Sequence, residues 1–209
     1  MTTTAAPTRA PTVQWDGDEP YLAITSHPGL RLTPYRDTPA DVAGLIALGS
    51  HPAVGRWSHN RPYPFDPAAA RQRLDTNVPA QAGAIAALRA DPGARVATTP
   101  FTVIRDAGGH YVGDLVVRPT EPGGTWSAAY AVHPDFWGRG VGTAAVGAAL
   151  DWARGVGAER FEITIQTDNK ASSRLATKLG FTLARTEVVA WPAHNGGGER
   201  EVATWVREA

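Results

Sequence analysis

The chain has 209 residues with 43% hydrophobic and 19% charged side chains, enough for one domain with its own core and too little for two enzymatic lobes. It contains no cysteine, which excludes a disulfide framework, a zinc–cysteine site and a thiol nucleophile of its own. Twenty basic residues balance twenty acidic ones, so no net field favours nucleic acid; no apolar run reaches the roughly 20 residues of a membrane span.

Residues 1–20 are rich in Thr, Ala and Pro without periodicity and are expected to form a flexible tail ahead of a single domain, 21–209. They lack the apolar segment of a secretory signal, so a cytoplasmic address is expected. Leu30-Arg31-Leu32-Thr33-Pro34 reads as a short strand, and Thr38-Pro39-Ala40-Asp41 as a helix start with Pro in the first turn. Val42, Leu45, Ile46 and Leu48 supply that helix with an apolar face. From Ser50 to Asp66 runs a loop carrying Trp57, His59, Arg61, Tyr63 and Phe65, and a second helix of weak amphipathicity, roughly Pro67 to Arg89, follows.

Phe101 to Arg105, the turn Asp106-Ala107-Gly108-Gly109 and Tyr111 to Val117 predict a hairpin, because Gly supplies the positive φ of a tight turn. Trp126 to Val132 continues the antiparallel meander. The period then changes: Val141, Ala145, Ala148 and Trp152 fall on one face of a helix that ends near Gly155 or Gly157. Phe161, Ile163 and Ile165 alternate with polar residues as a strand. Asp168 or Asn169 caps a further helix through Leu179, and Gly180 stops it before a strand led by Phe181 and Leu183. Val202 to Val206 is the last strand, reached through a Gly-rich hairpin around Asn195 to Gly198. Strands first, then strand, helix, strand, helix, strand, predict an α/β (α+β) domain with a mixed sheet covered by helices.

The segment Val132-His133-Pro134-Asp135-Phe136-Trp137-Gly138-Arg139-Gly140-Val141-Gly142-Thr143-Ala144 joins a strand to a helix. Its alternating glycines let the backbone approach a ligand, and the unpaired N–H groups of the helix start, with the helix dipole, attract an anion such as a pyrophosphate. Each such bond to a charged oxygen contributes about 1.5–3 kcal/mol. Gly140-Val141-Gly142-Thr143-Ala144-Ala145 also matches the dinucleotide form Gly-x-Gly-x-x-Ala, with Glu162 downstream. The context argues against that reading, because seven residues separate Val132 from Gly140 and fewer than seventy remain after the turn. No Gly-Lys-Ser/Thr follows, so it is not a P-loop.

His133 to Ala144, together with Asn169-Lys170-Ala171-Ser172-Ser173-Arg174 and Lys178-Leu179-Gly180-Phe181, resembles the GNAT superfamily of acetyl-CoA-dependent N-acetyltransferases, in its RimJ/RimL-like branch. The resemblance reaches more weakly to Leu30–Pro34 and His51-Pro52-Ala53-Val54. It implies a mostly antiparallel sheet with a splayed parallel strand pair and helices on both faces. It implies acetyl-CoA as the cofactor, held by Gly138, Arg139, Gly140, Val141, Gly142 and Thr143, by main-chain groups from Ala131 through Val132 to His133, and by Asn169 and Ser172. Trp137 departs from the Arg or Gln that the family carries at the first loop position.

Direct attack of an amine on a bound thioester needs no acyl-enzyme and suits a chain without cysteine. An alkyl amine with a pKa of roughly 10.4 carries about 4.6 kcal/mol of proton affinity to overcome at pH 7, an α-amine near 8 only about 1.4. The strand Trp126 to Val132 holds no carboxylate, so the expected base is water relayed to Tyr130, His133 or a loop residue. Ser172 is the expected donor to the leaving thiolate. The resemblance places the acceptor between the aromatic loop, with Trp57 and Tyr63, and the last hairpin, with Trp191 and Glu199; the glycines 196–198 predict a mobile flap. No His/Asp/Glu set has metal-ligand spacing. The expected acceptor is a small-molecule amine or a peptide N-terminus; a non-catalytic acyl-CoA-binding module is the alternative, and the sequence leaves monomer and homodimer open.

Overall fold

The computed structural model describes residues 12–120 and 124–209. Among these described residues, nine strands form one sheet in the order β1-β2-β3-β4-β5-β6-β7-β9-β8. They are β1 (Gln14–Asp16), β2 (Glu19–Ala23), β3 (Arg31–Thr33), β4 (Val103–Arg105), β5 (Tyr111–Pro119), β6 (Thr125–Val132), β7 (Arg160–Gln166), β8 (Thr182–Ala190) and β9 (Glu199–Glu208). The helices are α1 (Pro39–Gly49), α2 (Pro52–Gly55), α3 (Pro67–Ala90), α4 (Val141–Gly155) and α5 (Lys170–Lys178). None of the helices among the described residues is long and apolar enough to cross a membrane.

Local chemistry explains most boundaries. The Thr38 hydroxyl accepts from the Asp41 N–H at the start of α1, and the Asp66 carboxylate accepts from the Ala69 N–H at 2.7 Å at the start of α3. Gly180, at φ +81°, turns the chain out of α5 toward β8. One expectation fails here. Residues 1–11 lie outside the described residues, but 12–20, expected as tail, carry β1 and the start of β2, paired through Trp15↔Pro20 and Asp16↔Glu19. The turn is Gly17-Asp18 with Gly17 at φ +59°, and Arg89 of α3 sits over the Trp15 ring while bonding Asp18 at 2.7 Å.

Two apolar clusters cover opposite faces of the sheet. The larger packs Val141, Ala145, Ala149, Leu150 and Trp152 of α4 on β5, β6 and β7, with Phe101 and Trp126 edge-to-face against Trp152. The smaller packs Leu45 of α1 with Phe65, Leu74 and Val103. Helix α3 serves both, Ala70 and Leu74 in one and Ala84 and Leu88 in the other.

The single parallel pair decides where a ligand can enter. β6 and β7 register only over Thr125↔Arg160, Trp126↔Phe161 and Ser127↔Glu162. Beyond that point β6 stays paired with β5 as far as Val132, and β7 stays paired with β9 as far as Gln166. The two central strands therefore part in the middle of the sheet, the splayed pair expected from the sequence.

Candidate active site

The N-terminus of α4 lies at this gap. Gly138 and Gly140 hold φ of +73° and +78°, and Gly140, as the N-cap, offers no side chain to the first-turn amides. The N–H groups of Val141, Gly142 and Thr143 consequently have no side-chain cap, and Ala144 is the first to bond back, to the Gly140 carbonyl at 3.0 Å. A Cβ on Gly142 would stand 3.3 Å from Leu175 of α5 and 3.4 Å from the Tyr130 ring, so its absence lets helix, strand and loop close together.

Three contacts fix the loop that sequence reasoning did not find. His27, in the turn between β2 and β3, bonds the Arg139 carbonyl through Nε2 at 2.8 Å. The Trp137 indole N–H donates to the Val132 carbonyl at 2.7 Å, while the ring stays 48% exposed. The aromatic that replaces Arg or Gln thus ties the loop to β6. His133 donates its main-chain N–H to Val112 of β5 at 2.8 Å. This corrects the expectation that His133 main chain faces the gap: antiparallel alternation turns Ala131 and His133 toward β5, and Tyr130 and Val132 toward β7. With the Val132 carbonyl taken by Trp137, the main-chain groups left facing the gap are the Val132 N–H and those of Tyr130. The His133 imidazole instead accepts from the Asp135 N–H at 3.4 Å and meets His51 edge-to-face at 5.8 Å.

Below the loop, Tyr130 Oη and Ser172 Oγ are 2.6 Å apart. Asn169 caps α5, its Oδ1 accepting from the Ser172 N–H at 3.1 Å, which sets Ser172 on the first turn facing β6. Burial pushes the Tyr130 phenol above its ordinary value, and the Ser172 bond pulls it back only in part. Tyr130 therefore stays protonated at neutral pH.

The acceptor side is built from distant parts of the chain. Helix α2 spans the mouth of the gap: His51 at its start touches His133 after β6, and the Arg56 carbonyl at its end accepts from Gln166, the last residue of β7, at 3.3 Å. The following loop meets the β8–β9 hairpin. Asn195 Nδ2 donates to the carbonyls of Ser58 and, at 2.7 Å, Arg61, and His59 packs edge-to-face on Trp191 at 5.1 Å. The flap expected at glycines 196–198 is thus latched, and all three adopt positive φ. Trp191 is buried with no hydrogen-bond partner for its indole N–H, so it is a packed wall. Trp57 and Tyr63 are half-buried, the former beneath Arg56 at 4.1 Å. Glu199 is exposed on β9, opposite Ala190 of β8. Behind the loop, Arg61 reaches inward to Asp114 of β5 at 2.6 Å, with Arg73 at 3.8 Å and the Tyr111 hydroxyl at 3.2 Å. Burial would raise the Asp114 carboxyl, but Arg61 and Arg73 outweigh it and hold it below the usual range. The signal was present in the sequence: one Asp inside the otherwise apolar run Tyr111 to Val117 needs a buried partner.

On the face opposite α4, Ala129 of β6 and Thr164 of β7 are exposed in the middle of a nine-stranded sheet. These small residues leave an uncovered floor beside the gap, with α2 at its mouth and the Tyr130–Ser172 pair on the α4 side.

Comparison with known proteins agrees with this architecture. The profile of the family described as Acetyltransferase (GNAT) domain matches residues 30–182. Acetyltransferase Pat of Mycolicibacterium smegmatis is 33% identical over 88 residues, 39% of this chain, and the chain spans about a quarter of that protein's length, 26%. Among solved structures, RimL, a ribosomal L7/L12 alpha-N-protein acetyltransferase, superposes with a TM-score of 0.67 at 20% identity over 94% of this chain and 99% of its own. Spermidine N-acetyltransferase from Vibrio cholerae, solved with CoA and spermine, gives 0.66 at 12% identity over 87% and 96%.

Proposed function

This chain belongs to the GNAT acetyltransferase family, and from that premise we propose that it is a cytoplasmic N-acetyltransferase moving an acetyl group directly from acetyl-CoA to a primary amine of a small molecule or a protein N-terminus. The observation that carries the reading is the convergence on one gap of an uncapped helix start and a Tyr130–Ser172 pair at 2.6 Å. Acetyl-CoA supplies an activated thioester when bound, and the residues present fit it. The amides of Val141, Gly142 and Thr143 suit a diphosphate, and the Val132 N–H suits an amide arm lying along β6. Asn169 uses Oδ1 as the helix cap and keeps Nδ2 to donate into the same gap.

In this reading Tyr130 donates its hydroxyl proton to Ser172 Oγ, which leaves the Ser172 O–H to donate to the departing sulfur. A buried phenol that stays protonated well past neutrality keeps that relay in the donating state. The acceptor enters from the open face beside Ala129 and Thr164, beneath α2. Water relayed toward His133 and His51 takes the ammonium proton, since neither β6 nor the Tyr130–Ser172 pair offers a base. RimL and spermidine N-acetyltransferase represent the two acceptor classes.

The test is turnover with acetyl-CoA against a panel of polyamines and short peptides, following free thiol with a disulfide reagent. The protein contributes no background because it has no cysteine. Thiol release with at least one amine is expected. Cofactor binding without thiol release for any acceptor would favour a non-catalytic acyl-CoA-binding module.

A further inference from the structure

Strand β8 closes the strand order and pairs with β9 on one side only. Eight of its nine residues are exposed, among them Val188 at 61% and Leu183 at 54%. Because they oppose Glu201 and Trp205 on β9, these two side chains share one face of the sheet. A long edge with exposed apolar side chains, no proline and no lysine invites another strand.

We infer that this edge joins a second copy of the same chain, two β8 strands pairing antiparallel about a two-fold axis at Thr186. The hydrogen-bond phase of the edge follows from two neighbouring bonds. The Trp191 N–H donates to the Gly198 carbonyl at 2.7 Å, and the Thr167 N–H to the Glu201 carbonyl at 3.0 Å. Along β9 the main-chain groups of Glu201 and Ala203 therefore turn toward β7, and those of Arg200, Val202 and Thr204 toward β8. Their opposites, Val189, Glu187 and Arg185, spend their own main-chain groups on β9. Thr186 and Val188 present theirs to the free edge.

That phase restricts the registers, and charge selects among them. An axis at Thr186 sets the outward groups of Thr186 against their own copies and places each Arg185 opposite the Glu187 of the other chain. An axis at Arg185 would oppose two arginines, one at Glu187 two glutamates, and one at Val188 would leave both charges without an opposite. Opposite charges directly across an antiparallel pair stabilise it and like charges destabilise it, so the edge is self-complementary in one arrangement. In this register the Ala184 bulge falls opposite Val188, so the regular ladder is the short stretch 185–187 of each chain, centred on Thr186.

Sedimentation equilibrium over a concentration series tests this. The unmodified protein should approach 44.2 kDa, twice its 22.1 kDa chain. Arg185→Glu and Glu187→Arg should each remain at the single-chain mass, because each places like charges at both cross-strand positions. An equimolar mixture of the two should regain the doubled mass, since the acidic strand of one then faces the basic strand of the other. Thr186→Pro removes the outward N–H and leaves pairing to β9 intact, so it should also be a single chain with unchanged acetyl transfer. A protein that stays at 22.1 kDa, charge variants that dimerise alone, or a mixture that fails to recombine would overturn the proposal.

Discussion

The glycine turn ahead of α4 and the aromatic loop after α1 face the same gap between β6 and β7, and they are held by different means. The turn is local: Val132 to Thr143 is one contiguous stretch whose amides point outward because two glycines adopt positive φ and no side chain caps the helix. The loop is assembled from afar, with Arg61 bonded to Asp114, 53 residues away, and Asn195 to the Arg61 carbonyl, 134 residues away. In the proposed reading, main-chain chemistry serves a ligand part that never varies, a diphosphate, and the loop held by side chains serves the amine.

The strongest way to break the second region without touching the first is Asp114→Ala. It strands Arg61 in the interior, and losing one partner of a buried ion pair costs about 3–5 kcal/mol, read as a shift in urea midpoint. The same cluster gives stability a pH window. Asp114 titrates below its ordinary 3.8 in the folded protein, so its contribution is present above that value and is lost as pH falls through the depressed one. Tyr35, bonded to Arg73, is pushed up to about 12 by burial first and by Asp114 second. The unfolded chain loses that proton near 10 and the folded one near 12, so stability should fall by up to about 3 kcal/mol as pH rises between them. Unfolding free energies measured across both limits check the signs.

Ser172→Ala separates chemistry from binding. Removing a donor aimed at developing charge costs about 2.7–4 kcal/mol, so turnover should drop roughly 100- to 1,000-fold with KM for acetyl-CoA nearly unchanged. Tyr130→Phe should reproduce most of that loss without adding to it in the double variant, as expected of residues acting in series. A weaker effect belongs to Asn195→Ala, which unlatches the hairpin from Ser58 and Arg61. The expected outcome is KM for the amine raised about five- to tenfold, roughly 1–1.4 kcal/mol, with coenzyme A affinity unmoved.

The same contrast explains what the sequence made legible. Thr38-Pro39-Ala40-Asp41, the 3.6-residue period from Val141 and the Asn169 cap are local signals, and the elements stand where these predict. The splayed pair came from motif resemblance, whereas the Tyr130–Ser172 contact had no signal in the sequence, since 42 residues separate the two hydroxyls. His27 on Arg139 and Asn195 on Arg61 had no local signal, because nothing near either residue names its partner. β1 did have one, the Gly17-Asp18 turn, but three-residue strands show no period, and Trp15 is held by Arg89 from the far end of α3.

The central claim is that the main chain from Gly138 to Thr143 grips the diphosphate of acetyl-CoA. Valine at position 140 cannot adopt φ +78°, and its Cβ would stand 3.3 Å from the His27 ring. Calorimetric titration of coenzyme A into Gly140→Val should show affinity reduced at least about tenfold, 1.4 kcal/mol, in a protein that still unfolds cooperatively. An unchanged Kd in that folded variant would contradict the account.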